Sequence, residues 1–191
     1  DNRSGSGWDV YAQFVSFDGK ILWRKDGIPI CTSLGDQESI LAISDGLGGG
    51  IIVWEDHRSQ NMDIYCQRVD RNGKFLWKDN GIAISDPNGD QYDPVLVSDS
   101  NGGVIIAWWD ITTPDWHILA QHVSSEGNIL WDTPLVVSPK DGIQGEPRIV
   151  SDNAGGAIII WQNYENQISN DIFAQRIDGD GQKLWNEKGV P

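Results

Sequence analysis

Four tryptophans, Trp23, Trp77, Trp131 and Trp185, fall 54 residues apart, and each closes the same phrase. The copies read SFDGKILW, DRNGKFLW, SSEGNILW and DGDGQKLW. A fixed period of this size marks a repeat architecture, in which one supersecondary unit is copied and stacked. The period constrains the fold more than the function, because a residue present in every copy is expected to belong to the scaffold.

Each unit carries four strand signals. The first is SILAIS (39–44), DPVLVS (93–98) and EPRIVS (146–151), followed by the turns DGLGG, DSNGG and DNAGG. The second is IIVW, IIAW and IIIW; the third DVYAQFV, DIYCQRV, HILAQHV and DIFAQRI; the fourth KILW, KFLW, NILW and QKLW. β-Branched and aromatic residues dominate these runs, and Gly, Asn and Asp bound them. Asp18-Gly19, Asn72-Gly73 and Asp180-Gly181 predict two-residue hairpin loops with φ above zero at both positions, and Glu126-Gly127 is a weaker version. The second strand is apolar without alternation, so both its faces are expected to be covered. No helical period appears.

Four antiparallel strands per unit, stacked face to face, predict an all-β fold, a β-propeller of four-stranded blades. A linear β-solenoid and a string of sandwiches are the alternatives. The expected divisions are a half-blade over 1–23, which holds only the third and fourth strands, blades over 24–77, 78–131 and 132–185, and the start of a further crossover over 186–191. About three and a half blades make an open or partial ring, since propellers usually close with four to eight. A two-chain ring of seven fails in this reading, because each chain lacks the same two strands. The expectation is therefore a piece of a longer chain, with any signal peptide upstream of it, or an array completed by self-association.

Composition excludes several partners. The net charge is −14, with 28 acidic residues against 14 basic ones, and no basic stripe appears. Nucleic acid is not an expected partner, since affinity for phosphate backbones comes mainly from Lys and Arg. Membrane insertion is not expected either, for no run approaches the roughly 20 apolar residues that span a bilayer. Two cysteines, Cys31 and Cys66, make no disulfide framework. Cys66 stands where other copies have alanine and reads as a small buried side chain, with a Cys31–Cys66 bridge left open.

The phrase before each repeated tryptophan resembles the Asp-box of sialidase-like propellers, Ser-x-Asp-x-Gly-x-x-Trp: Ser16, Asp18 and Trp23 match, while Gly19 comes one residue early, as it does in all four copies. The longer pattern, W-x-D-x-R followed by D-I-Y-A-Q-R and G-x-x-L-W, is similar to repeats of secreted or surface-attached bacterial proteins. The resemblance implies a propeller fold and a secreted or cell-surface location, and implies no particular activity.

In such a fold the tight turns share one face, and the variable loops share the other. Binding residues concentrate on variable loops held by a rigid scaffold. Seven of the ten tryptophans recur within the unit and are expected to pack between blades; Trp8, Trp109 and Trp116 do not recur. With Tyr92 and Asp115 beside them, they are candidates for stacking on a sugar ring or an extended peptide. Arg58, in D-H-R and aligned with Arg3, is a further candidate contact; its alternative is an Asp–Arg pair that pins the loop. The sialidase arginine triad is not present in this pattern. Gln13, Gln67, Gln121 and Gln175 are expected to make a repeated hydrogen bond between blades. The three histidines show no zinc-ligand spacing. Asp86, Asn88 and Asp90 form a weak calcium candidate, and no other cofactor is expected.

The primary expectation is thus a non-catalytic module that binds glycan or protein through its variable face. A structural spacer or surface-assembly subunit is one alternative. A fragment of a sialidase-like glycoside hydrolase or lyase is another, though no acidic pair is singled out by sequence.

Overall fold

The structure, a computed structural model, describes residues 1–5, 7–85, 88–138, 142–165 and 169–191. Among the described residues every regular element is a strand, and the strands form four antiparallel sheets. The first pairs β1 (Val10–Ala12) with β2 (Ile28–Cys31). The second runs in order β3 (Gln37–Ser44), β4 (Gly50–Asp56), β5 (Asp63–Val69) and β6 (Ile82–Ala83). The third repeats that order with β7 (Gln91–Ser98), β8 (Val104–Asp110), β9 (His117–Val123) and β10 (Leu135–Val136). The fourth holds β11 (Ile143–Ser151), β12 (Ala157–Glu165) and β13 (Ser169–Ile177), with a bridge from Ala174 to Val190 in place of an outer strand.

The sheets stack in series, and the core lies between them. Val10, Ile30 and Cys31 of the first sheet meet Ile52, Trp54 and Val69 of the second. Ile51, Val53, Ile64 and Cys66 on the opposite face of the second meet Ile106 and Trp108 of the third. Ile105, Ala107 and Ile118 meet Ile159 and Trp161 of the fourth. β4 and β8 are covered on both faces, as their unbroken apolar runs require. Each fully buried Ile or Val contributes about 1.5–3 kcal/mol, so these inter-sheet layers hold the array, which no isolated sheet could do.

Three sequence expectations change. The outer strand does not lie on KILW and its copies. Only single bridges form there, Val15 to Ile21, Val69 to Phe75, Val123 to Ile129 and Ile177 to Lys183. The chain then bulges out to place the tryptophan and returns to the ladder at β2, β6 and β10, so each sheet extends past the tryptophan that was expected to end it. The repeated glutamine holds that excursion. Gln67 Oε1 accepts from the amides of Arg68 and Trp77, and its Nε2 donates to Lys78 O. Gln13, Gln121 and Gln175 act alike, within their own sheets rather than between neighbours.

The hairpin between the third and fourth strands is also different. Only its glycine takes positive φ, between 80° and 85° at Gly19, Gly73, Gly127 and Gly181; the preceding residue does not. The bonds Ser16 N to Lys20 O and Gly19 N to Ser16 O describe a turn that ends in a left-handed glycine bulge. That geometry admits Glu126 as readily as Asp18.

The first turn of each full sheet is fixed by one aspartate. Asp45 Oδ1 accepts from Leu47 N and Gly49 N, and its Oδ2 receives the Arg68 guanidinium at 2.9–3.0 Å. Asp99 does the same with His122, and Asp152 with Arg176. Cys31 and Cys66 are both buried free thiols, so no bridge joins them.

Candidate functional site

The first strand of each full sheet is kinked at one equivalent point. The pairing register shifts between Glu38 and Leu41, between Tyr92 and Val95, and between Gly145 and Arg148. At each shift a non-glycine residue takes a left-handed backbone: Ser39 (φ 50°), Asp93 (φ 51°) and Glu146 (φ 51°). Such bulges re-aim side chains, and the conformation is costly for residues with a Cβ. Pro94 and Pro147 follow two of them and have no N–H to lend to a ladder. The kinked strands β3 and β7 wall a cavity of ≈ 490 Å³, lined by Ser39, Leu41, Asp93, Val95 and, from β11, Arg148. Asp93, Glu146 and Arg148 are exposed.

Carboxylates gather at these bulges. Glu55 is nearly buried in β4, and its Oε1 accepts from Asp93 N in the next sheet at 2.7 Å. Burial pushes the Glu55 carboxyl up, and the negative charges of Asp93 and Glu38 push the same way, against the Asp93 amide and Ser39. Glu146 is held by Gln162 Nε2 at 2.7 Å and by the Tyr164 hydroxyl at 3.2 Å. The Tyr164 phenol is raised by burial and by Glu146 and Asp93. The Tyr92 phenol is raised by burial, and by Asp90 and Glu55.

An aromatic wall stands beside them. Tyr92 and Trp109 face each other across β7 and β8, with ring centroids 6.5 Å apart. Trp116 meets Trp109 edge-on at 4.9 Å. Gly145 lies beneath both rings that border it, Trp109 and Tyr164, in van der Waals reach of each. Trp109 occupies the position held by Glu55 in β4 and Gln162 in β12, which places all three on the strand that borders the kinked one.

Of the residues singled out by sequence, Tyr92, Trp109 and Trp116 come together here. Asp115 is exposed next to Trp116 in the loop. Trp8 stands apart: the residue is 55% exposed, and its backbone carbonyl accepts from Gln37 N, as Met62 does from Gln91 and Trp116 from Gln144. Arg58 points into the scaffold between the first and second sheets, where it pairs with Asp56, donates to Asn80 O and covers the Tyr65 ring at 3.8 Å. Arg3 covers Tyr11 in the same way at 4.0 Å. Of the calcium candidate, Asp86 lies outside the described residues; Asn88 O accepts from Gln91 and Thr112, and Asp90 Oδ1 accepts from Met62 N. Among the described residues no three acidic, His or Cys groups are placed to hold a metal.

Sequence reasoning did not find Ser39, Glu55, Asp93, Glu146 or Arg148. The available signal was the pair Asp93-Pro94 and Glu146-Pro147 at one repeat position. A larger recess, ≈ 650 Å³, opens between the outer edges of the third and fourth sheets around Trp131, Pro134 and Lys183, and holds none of these inner carboxylates.

No protein-family model matches the sequence, and comparison with curated proteins gives no match. The Asp-box-like character of the turns therefore rests on their residues alone. Among solved structures, the chain is similar to an endo-arabinase from Bacteroides thetaiotaomicron, with a TM-score of 0.54 and 14% identity over 83% of this chain and 63% of that one. A thermostable family-43 glycoside hydrolase gives a TM-score of 0.47 at 12% identity, over 80% of this chain and 55% of that one. The likeness to the endo-arabinase is one of fold, and with the stacked antiparallel sheets it makes this an all-β, propeller-like chain. The chain spans 63% of the length of that enzyme.

Proposed function

We propose that the chain is a segment of a carbohydrate-directed propeller of the glycoside-hydrolase type, about three and a half blades long, whose site lies at the bulges of the inner strands. The observation that carries this reading is the repeated left-handed kink, which turns Asp93 and Glu146 out at equivalent places on neighbouring strands beside Trp109 and Tyr92. Strained positions and bulges cluster at functional sites. Glycoside hydrolysis needs two carboxylates that flank the scissile bond, and aromatic faces suit the apolar faces of sugar rings. Asp93 and Glu146 supply the pair. Gln162 and Tyr164 fix the orientation of Glu146, and Glu55 positions the Asp93 backbone. The fold likeness to an endo-arabinase supports a glycan as the ligand and favours this reading over the non-catalytic module expected from sequence. A secreted or surface location accords with it.

The test is binding and hydrolysis on a panel that includes arabinan and xylan, with the chain and with Asp93→Asn, Glu146→Gln and Trp109→Ala. Binding is expected to weaken about tenfold in Trp109→Ala, the equivalent of about 1.4 kcal/mol. Bond cleavage is expected to vanish in both carboxylate variants while binding stays. Cleavage that survives both would remove the pair from the chemistry, and absence of binding to every glycan would overturn the reading as a whole.

A further inference from the structure

Each sheet grips the next through its repeated tryptophan, joined in the second and third sheets by an Arg or a His. Trp77 Nε1 and Arg68 Nη1 both donate to Ser125 O, the turn carbonyl of the following sheet, at 3.1 and 2.9 Å. Trp131 Nε1 and His122 Nδ1 both meet Gly179 O, at 3.0 and 2.9 Å. In the first sheet, where Phe14 replaces the Arg or His, Trp23 Nε1 alone donates to Arg71 O at 3.0 Å. A turn glycine always lies beneath the tryptophan: a Cβ on Gly73, Gly127 or Gly181 would come within 3.3 Å of the ring.

The fourth sheet carries the same two side chains, and among the described residues no turn carbonyl meets them. Arg176 is anchored on Asp152, as Arg68 is on Asp45, and Trp185 is held by Gln175, as Trp77 is by Gln67. The apolar face beside them is bare: Ile172 is 60% exposed where Ile64 and Ile118 are fully buried, and Ile160 is 37% exposed where Val53 and Ala107 are fully buried. Trp185 is 38% exposed, against 7% for Trp77.

We propose that this face is the seat of one further four-stranded sheet of the same repeat, whose turn carbonyl is taken jointly by Arg176 and Trp185 and whose turn glycine lies beneath the Trp185 ring. The continuity of the grip through three successive interfaces carries the inference. The N-terminal sheet of a second copy is the poorer occupant. Its turn offers Gly19 with open space around it, but only β1 and β2 stand behind that turn, with no inner strands to cover Ile160. Two copies that each carry a charge of −14 also repel.

The experiment joins a second copy of residues 84–137 after Pro191, which keeps the repeat in phase because Gly189 and Val190 stand where Gly81 and Ile82 do. The Trp185 indole N–H is followed by ¹⁵N NMR hydrogen exchange, assigned with Trp185→Phe, beside sedimentation of the 191-residue chain. The expected result is a monomeric 191-residue chain with a fast-exchanging Trp185 indole, and an extended chain in which that exchange slows to the rate of Trp77. Gly127→Val within the added copy is expected to restore fast exchange. An added unit that folds without protecting Trp185, or that does not fold, overturns the proposal. So does self-association of the 191-residue chain that protects Trp185, which would assign the face to a second copy.

Discussion

At Asp45 one carboxylate closes a turn with Oδ1 and neutralises a buried guanidinium with Oδ2. Burial alone would raise this carboxyl; the amides of Leu47 and Gly49 and the Arg68 charge outweigh it and hold it below its ordinary value. Its stabilisation is therefore complete above the unfolded value of about 3.9 and is lost as pH falls through the lower folded value. Asp45→Asn is expected to cost about 3–5 kcal/mol at neutral pH, the usual loss when a buried pair is broken, and urea titrations at stepped pH should show that deficit shrink in acid. Glu55 has the opposite sign. Its raised carboxyl stabilises the fold below the unfolded value of about 4.3, and that contribution is lost as pH rises through the folded value. Glu55→Gln should thus raise the neutral-pH urea midpoint and flatten its pH dependence, while the acceptor for Asp93 N remains. Gly49 has no such latitude: a Cβ there would sit 2.1 Å from Val69 O, so Gly49→Ala is expected to destabilise by about 1–3 kcal/mol, read in the same titrations. The need for that glycine was visible in the repeated Gly-Gly turns, but its cause was not, because the clashing carbonyl comes from another strand.

The outer strand shows where local pattern misleads. KFLW has strand composition, yet only Phe75 bridges there, and Trp77 leaves the ladder to reach the next sheet. A Gly-containing hairpin dipeptide likewise does not distinguish a turn with two left-handed residues from one with a single left-handed glycine, since Asp and Asn suit both. The observed form predicts that Glu126→Asp leaves the thermal midpoint unchanged. Gly127→Ala should lower it, because its φ is 85° and its Cβ would meet Trp77 at 2.6 Å. His122 fills the role that Arg68 and Arg176 fill elsewhere, between an aspartate and, for Arg68, a turn carbonyl. His122→Arg is expected to preserve the thermal midpoint, whereas His122→Ala should lower it by taking away the partner of Asp99 Oδ2.

Across the whole array, a side chain's worth depends on which sheet follows it. Trp77→Ala removes a ring packed between two sheets and is expected to cost about 3–5 kcal/mol in chemical denaturation. Trp185→Ala removes the same residue from an open face and should cost far less; equal losses would mean that the ring's own sheet, and not the following one, supplies its energy. The candidate site obeys the same logic. Trp109 and Trp116 were legible because they break the repeat, and Tyr92 only as a residue beside them. Asp93 and Glu146 were not, because they sit inside a repeated strand whose kink becomes visible only when its pairing is seen. The period, the strand composition and the glycine turns determined by themselves that this chain is a series of antiparallel sheets, because hydrophobic periodicity and turn chemistry are local properties of neighbouring residues. Which carboxylates stand at the bulges, which arginine is spent on the scaffold and which tryptophan lies on an open face were decided only in the tertiary structure, because each depends on contacts between residues far apart in the chain, such as Glu55 with Asp93 and Trp77 with Ser125.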